Sequence, residues 1–195
     1  MLQAQGKQME RMHRFIETMR SMARLQEREL FYAKIDADDF KEQIKEETQA
    51  LGRTAGIVCE VCMKTERKSF CIDRELVLEV MENLFMNALR YAKKKIDIII
   101  SSEEDRLILT VCDDGNGFKE GPEKLTKAFY YSNLGDDLKH FGIGLYLCRV
   151  YCERHGGRLL LGNAEQGGAY AKAVFQLNKE KSGHARFADL TGSKK

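Results

Sequence analysis

The feature that most constrains the fold is a stretch of apolar residues with a helical repeat between positions 76 and 91. The apolar side chains recur every three to four residues over most of the circumference, which predicts a largely buried helix. Four polar residues share one face of this helix, and they are Asn83, Asn87, Arg90 and Tyr91. Buried polar groups need partners, so this row suits a polyanion with a metal ion. The solvent edge of an amphipathic helix is the alternative interpretation of the same row.

The composition fits one packed domain with an accessory element. The chain has 195 residues, of which 43% are hydrophobic and 32% are charged. The net charge of +2 does not indicate a nucleic-acid partner. Six cysteines lie mostly in apolar segments, which is typical of a reduced, cytosolic chain. No apolar run reaches the ~18 residues of a membrane span.

Residues 1–34 predict one long, coiled-coil-like helix. Their apolar residues form a stripe with charged residues between them. A single helix cannot bury such a stripe, so it packs either in a bundle, most simply across a dimer, or on its own domain. Residues 35–39 break the helix, and Asp38 or Asp39 is expected to cap the next one. From residue 179 onward the charged, glycine- and serine-containing chain is expected to be a disordered tail.

The intervening residues predict an α/β (α+β) two-layer sandwich, with a mixed, mostly antiparallel sheet covered on one face by helices. The central helix is expected to begin after Asp73 as its cap and to run to about Lys95. Residues 118–141 have no clear periodicity and are expected to form a functional lid. Three hairpins are expected, pairing residues 57–63 with 69–72, 96–100 with 106–112, and 158–162 with 169–177.

Two glycine motifs have chemistry suited to a nucleotide. Asp113-x-Gly115-x-Gly117 follows a strand, where a carboxylate can accept a hydrogen bond from an exocyclic amine and glycines let backbone approach a flat ring. Gly142-x-Gly144 precedes a helix and leaves free N–H groups at its positive end, where phosphates bind. Taken alone, neither motif is specific, and a simple tight turn is the alternative interpretation of the first.

In this order, the motifs resemble the N, G1, F and G2 boxes of the GHKL ATP-binding superfamily. The chain is similar to the catalytic domain of bacterial sensor histidine kinases, over roughly residues 36–178. The resemblance implies a Bergerat-type ATP-binding domain at 35–178. It also implies that residues 1–34 are part of the second helix of a dimerisation bundle, and that 179–195 are a tail.

The resemblance also implies roles for the site residues. Asn87 would coordinate Mg²⁺ and Asn83 would support the site, while Arg90 would contact phosphate and, with Asn87, act in catalysis. Tyr91 would line the adenine pocket, and Asp113 would accept from the adenine amine. The family has another glycine upstream in the last box, where this chain has His140. The other expected nucleotide contacts are Gly115, Gly117, Phe118, Phe129, His140, Gly142, Gly144 and Leu145.

Position 83 separates kinase from hydrolase within this superfamily. Members that hydrolyse ATP usually carry a glutamate four residues before the Mg²⁺-binding asparagine, as a base for water. Asn83 cannot take a proton, and Glu82 lies about 100° round the helix. The acceptor is therefore expected to be a good nucleophile, such as a histidine. None of the four histidines is followed by an acid, so the family's phosphoacceptor motif is expected on an absent upstream helix.

The function implied is transfer of the ATP γ-phosphoryl group to that histidine, and then to an aspartate of a response regulator. ATP and Mg²⁺ would be the cofactors, and the full-length protein would be a homodimer. The chain would be the cytoplasmic domain of a bacterial sensor, with any membrane segments outside this sequence. The alternatives are a GHKL serine kinase or ATPase, and a non-catalytic ATP-binding adaptor that dimerises.

Overall fold

The computed structural model describes residues 29–127 and 143–178 of the chain. Most of the predicted first helix, the predicted tail, and the site residues Phe129, His140 and Gly142 lie outside the described residues. The elements in chain order are β1 (Ala33–Asp36), α1 (Ala37–Ala55), β2 (Val58–Lys64), β3 (Ser69–Ile72), α2 (Arg74–Tyr91), β4 (Lys95–Glu103), β5 (Arg106–Asp113), α3 (Pro122–Leu125), α4 (Gly144–Arg154), β6 (Arg158–Asn163) and β7 (Ala169–Gln176).

A five-stranded sheet in the order β2-β4-β5-β7-β6 forms one layer of the molecule. Strands β2 and β4 are parallel, and the other neighbours are antiparallel. The predicted hairpins β4–β5 and β6–β7 are both present. Helices α1, α2 and α4 contact the sheet. This arrangement confirms the predicted two-layer sandwich with a mixed, mostly antiparallel sheet.

The core lies between the sheet and the helices, and the sequence periodicity explains it. In β4, Ile96, Ile98 and Ile100 are fully buried because alternate side chains of a strand face the same side. In α2, the residues buried in the same core recur at three- to four-residue spacing. These are Leu76, Val77, Val80, Met81, Leu84, Phe85 and Ala88.

The predicted hairpin between residues 57–63 and 69–72 is wrong. Strand β2 instead lies parallel to β4, and the chain between them crosses over through α2. Strand β3 pairs antiparallel with β1 in a separate two-stranded sheet, where Phe70 lies opposite Ile35 and both are buried. The four-residue connection at 65–68 is compatible with a hairpin. The two strands nevertheless pair with other strands, β2 with β4 and β3 with β1, and their apolar residues pack into the core there.

The prediction that the first helix extends to residue 34 is also wrong for the described residues. Residues 29–32 have no regular structure and 33–36 form β1. Strand pairing with β3 satisfies the backbone groups that a helix would have used internally. The cap of α1 is Asp36 rather than Asp38 or Asp39, because its carboxylate accepts from the N–H groups of both. No helix within residues 29–127 and 143–178 is long and apolar enough to cross a membrane.

A buried polar cluster joins this incoming segment to the ends of two helices. Asp73 caps α2 through the N–H of Leu76, as predicted, and its other carboxylate oxygen accepts from the N–H of Phe31 at 2.9 Å. The Asp73 N–H donates to Nε2 of His155, just after α4, at 3.1 Å. The Tyr32 ring contacts the His155 ring edge-on at 4.9 Å. Residues 31–32, α2 and α4 therefore share one polar junction.

The junction requires a neutral histidine. Because Nε2 accepts from a backbone N–H, the proton lies on Nδ1, which donates to the carbonyl of Gln176 at 3.1 Å. Burial lowers the pKa of His155 below its ordinary value, although hydrogen bonding and nearby Asp73 oppose this. Protonation would place a donor against the Asp73 N–H and destroy that hydrogen bond.

We therefore expect acid sensitivity that depends on His155. Its contribution to stability is complete above pH 6.5, the ordinary pKa, and is lost as the pH falls from there through the lower folded-state pKa. Thermal unfolding at pH 7.5 and pH 5 measures this loss. In His155→Gln the fall in Tm should be smaller than in the unmodified chain by about 2–4 °C. His184→Gln is the matched control, and equal falls in all three proteins would contradict the assignment.

Candidate functional site

Helix α2 carries the predicted polar row, and it ends at Tyr91 rather than near Lys95. The Asp114 carboxylate, at the start of the loop after β5, accepts from the N–H groups of Lys93 at 2.7 Å and Lys94 at 3.0 Å. These bonds take up backbone donors that follow the helix end, so Lys95 can enter β4. The C-terminal end of α2 is thus fastened to the loop that follows Asp113.

Gly115 packs directly against the end of α2. A Cβ atom at this position would collide with the carbonyl oxygen of Tyr91 and would lie 2.7 Å from Oδ1 of Asp113. Both neighbours are held in place by backbone structure, so no larger residue fits without moving the loop. The predicted carboxylate and the predicted polar row are therefore brought to the same end of α2.

Gly144 packs against the same helix two turns earlier. A Cβ atom there would lie 3.1 Å from Oδ1 of Asn83, whose amide nitrogen donates to the Glu79 carbonyl at 2.9 Å. The contacts at Asn83 and Tyr91 are eight residues apart, which is about 12 Å along the helix. Asn87 lies midway between them and is half-buried. Gly115 and Gly144 therefore contact the helix on either side of Asn87, the predicted metal ligand.

Asp113 uses one carboxylate oxygen, Oδ1, for its hydrogen bonds to the described residues of the protein. Oδ1 accepts from the N–H of Gly115 at 2.8 Å and, at 3.3 Å, from the N–H of Ala169. Burial raises the pKa of Asp113, the two backbone hydrogen bonds oppose this, and the nearby Asp114 carboxylate adds to it. A half-buried carboxylate with a fixed Oδ1 is suited to accept a hydrogen bond from an amine through Oδ2.

The start of α4 offers backbone donors to an anion. Ile143 is its N-cap and provides no side-chain hydrogen bond, and the first turn contains no acidic residue. The first N–H groups of this eleven-residue helix have no acceptor within the helix, and they lie at the positive end of the helix dipole. Leu145 lies in this turn and packs against the core, which anchors the turn.

Arg90 and Tyr91 lie at the exposed end of the row. Tyr91 is 48% exposed, and the Arg90 guanidinium carbon lies 5.8 Å from the centre of its ring. Their exposure leaves both side chains accessible to a ligand. The contacts predicted for them with phosphate and adenine stay predictions.

Phe118 and Gly117 lie at the end of the loop that is away from α2. Both contact Asn163, a residue that the sequence did not indicate as part of the site. The backbone of Phe118 is hydrogen-bonded to the side chain of Asn163, and Gly117 adopts a left-handed conformation, with φ of 76°, beside it. The local signal at Asn163 is only an asparagine at the end of a strand. Its partner lies 45 residues away, so no local pattern indicates the contact.

The donors suit a magnesium ion that is bound mainly by a nucleotide. Within the described residues there is no group of three or more His, Cys, Asp or Glu side chains that could hold a metal ion. Magnesium ions usually keep several waters and take one or two protein oxygens together with phosphates. Asn87 lies on α2 between the contacts of Gly115 and Gly144, and its amide offers one such oxygen, although an asparagine alone would not retain the ion.

A family model matches the part of the chain that contains the candidate site. The model described as "Histidine kinase-, DNA gyrase B-, and HSP90-like ATPase" matches residues 72–180, which include α2, both glycine motifs and the strands between and after them. The match covers more than half of the chain.

Sensor kinases are among the similar curated proteins. The chain is 30% identical over 171 residues to the nisin biosynthesis sensor protein NisK of Lactococcus lactis subsp. lactis, covering 85% of this chain and 38% of that protein. It is 29% identical over 151 residues to the sensor histidine kinase SpaK of Bacillus subtilis, covering 75% and 33%. The chain therefore spans about a third of the length of these relatives.

Solved histidine kinases share the fold. The Acinetobacter baumannii histidine kinase AdeS superposes with a TM-score of 0.72 at 20% identity, covering 91% of this chain and 84% of that one. Full-length ShkA, solved in complex with AMPPNP, superposes with a TM-score of 0.74 at 18% identity, covering 86% and 36%. At this identity the likeness is one of fold.

We expect Asp113→Asn to weaken nucleotide binding. The substitution keeps the shape but replaces one acceptor oxygen with a donor, which would face the donating amine of adenine. The dissociation constant for ADP, measured by calorimetry, should rise roughly 10- to 100-fold. Asp38→Asn makes the same chemical change on the exposed start of α1 and should leave it unaltered. Unchanged ADP affinity in Asp113→Asn would refute the role of the carboxylate.

Proposed function

The chain belongs to the family of histidine kinase-, DNA gyrase B- and HSP90-like ATPases, and we propose that it is the catalytic part of a longer sensor histidine kinase. In this proposal it binds ATP with Mg²⁺ and transfers the γ-phosphoryl group to a histidine on an upstream helix. The similarity to NisK and SpaK, of which it spans about a third, supports a larger parent protein.

One observation favours phosphoryl transfer to a protein side chain over hydrolysis of ATP. Asn83 stands where a hydrolase would need a base to activate water. A neutral amide is not a base, so Asn83 cannot take a proton from water. Its nitrogen donates to the Glu79 carbonyl and its oxygen lies beside Gly144. Tyr151 donates to the Glu79 carboxylate at 2.9 Å, which holds that acid between α2 and α4. The described residues thus supply positioning and charge, and the nucleophile comes from elsewhere.

In the proposed complex each flank of α2 holds one part of the nucleotide. Asp113 accepts from the adenine amine, and Gly115 and Gly117 let the backbone approach the ring. The phosphates lie at the N-terminus of α4, next to Gly144. Arg90 neutralises phosphate charge and Tyr91 covers the adenine side. Residues outside the described part of the chain, Phe129, His140 and Gly142, complete the proposed site.

Asn87 would hold the magnesium ion through its amide oxygen, with Asn83 supporting it from one turn earlier. When bound there, Mg²⁺ would supply positive charge that offsets the negative charge of the phosphates. The protein's part is to keep the Asn87 amide midway between the adenine end and the phosphate end of α2.

The partners follow from this reaction. The proposed acceptor is a histidine on the dimerisation helices of a homodimer, to which residues 1–34 contribute, and a response regulator takes the phosphoryl group onto an aspartate. We propose contact with a membrane only through segments outside this sequence, and no nucleic-acid partner.

The test is transfer of label from [γ-³²P]ATP to a histidine-containing acceptor helix supplied as a separate peptide. We expect acid-labile label on the acceptor in the presence of Mg²⁺, and roughly 100-fold less or none with Asn87→Ala. Asn178→Ala, at an exposed asparagine after β7, is the matched control and should transfer normally.

Each alternative predicts a different result from the same assay. Steady phosphate release without an acceptor would support an ATPase, and acid-stable label on serine would support a serine kinase. Binding of ATP without transfer to the natural acceptor would select a nucleotide-gated adaptor. Full activity of Asn87→Ala would refute the metal assignment.

A further inference from the structure

The turn between β6 and β7, residues 163–169, contacts the loop 113–118 at both of its ends. We call these residues the support turn. At one end, Gly168 packs against the carbonyl oxygen of Asp113, so closely that a side chain there would collide with backbone. The N–H of Ala169 donates to Oδ1 of the same residue. At the other end, Asn163 contacts Gly117 and Phe118.

Asn163 makes a two-point hydrogen bond with the backbone of Phe118. Its Oδ1 accepts from the N–H of Phe118 at 2.7 Å, and its Nδ2 donates to the carbonyl of Phe118 at 3.0 Å. Only an amide side chain of this length provides an acceptor and a donor in this relation. The pair mimics the hydrogen bonding of a neighbouring strand and fixes both the position and the rotation of the Phe118 peptide groups.

This clamp also determines the path of Gly117. A Cβ atom on Gly117 would lie 2.8 Å from Oδ1 of Asn163, so the left-handed glycine is in close contact with the amide. The loop is thus held by Asp114 at the α2 side and by Asn163 at the opposite side. Between these two points lie Gly115 and Gly117, the proposed wall for adenine.

The support turn is itself braced. The N–H of Ala164 donates to the carbonyl of Gly168 at 3.1 Å, and the N–H of Gly167 donates to the carbonyl of Ala164 at 3.0 Å. Asn163 pairs with Ala169 across the start of the β6–β7 ladder. The amide is therefore presented from a closed turn on two paired strands, which is a rigid base for positioning a loop.

We propose that Asn163 is a positioning residue for adenine recognition. It acts through the Phe118 backbone and sets the distance between the glycine wall and the carboxylate of Asp113. This inference rests on the proposed function, since it assigns Asn163 to the site that binds ATP. It predicts that loss of the clamp weakens recognition of the base, whereas the phosphate end, at Gly144, is unaffected.

Two substitutions separate the bonds. Asn163→Ala removes both, and Asn163→Asp keeps the acceptor for the Phe118 N–H but sets an oxygen against the Phe118 carbonyl. Calorimetry with ADP and with GDP should show the ADP dissociation constant raised about tenfold in both variants. The GDP value should stay within about twofold, so that the preference for adenine falls. Asn178→Ala is the control and should match the unmodified chain in both constants.

The outcomes distinguish this inference from the proposed function. Failure of the unmodified chain to bind ADP would overturn the proposed function and this inference together. ADP binding that persists unchanged in both variants would overturn only the role of Asn163. An equal loss of ADP and GDP affinity, or a lower Tm without a change in the ADP-to-GDP ratio, would assign Asn163 a merely structural role and also reject the inference.

Discussion

The organisation of this domain depends on the close approach of backbone to one helix. Helix α2 is buried on most sides, and the loop after β5 and the start of α4 contact its remaining face through Gly115 and Gly144. At each contact the neighbouring atom is one that cannot easily retreat, either a helix carbonyl or an amide already hydrogen-bonded to the helix. Because neither position has a side chain, the backbone of the loop and of the α4 start comes close to one face of α2, where the proposed nucleotide would lie.

The burial of Asp73 and His155 explains how the rest of the fold holds this helix. Both residues are 1% exposed, and desolvating their side chains is costly unless every polar atom is hydrogen-bonded. The bonds that satisfy them tie the cap of α2 to the end of α4 and to residue 31. The helices that carry the proposed phosphate and metal contacts are therefore fixed to each other away from the site. The incoming segment at residues 31–32 joins them at that same point.

The sequence predicted the parts of the fold that local periodicity encodes. Strand β4 and helix α2 have unambiguous repeats, and the β4–β5 and β6–β7 hairpins follow from short turns between alternating strands. The pairing of β2 and β3 was not predictable in this way, because nothing local distinguishes a hairpin from a parallel crossover when the connecting residues permit both. Residues 29–34 illustrate the same limit, since their helical pattern is overridden by pairing with β3 and bonding to Asp73.

For the candidate site, sequence predicts the groups that would face a ligand but not those that hold them. Asn83, Asn87, Asp113 and the glycines belong to short motifs, and the structure brings the described ones around one face of α2. Their supports, at Asp114 and in the turn that begins at Asn163, are hydrogen bonds between side chains and backbone across 20 to 56 residues. Such bonds need only a short polar side chain at one end and a backbone group at the other, so they produce no recognisable pattern in the sequence. Because Asn163 holds peptide groups rather than a particular side chain, the clamp requires of residue 118 only a backbone N–H and carbonyl, which every residue except proline provides. The amide at 163 has no such freedom, since it must supply a donor and an acceptor together.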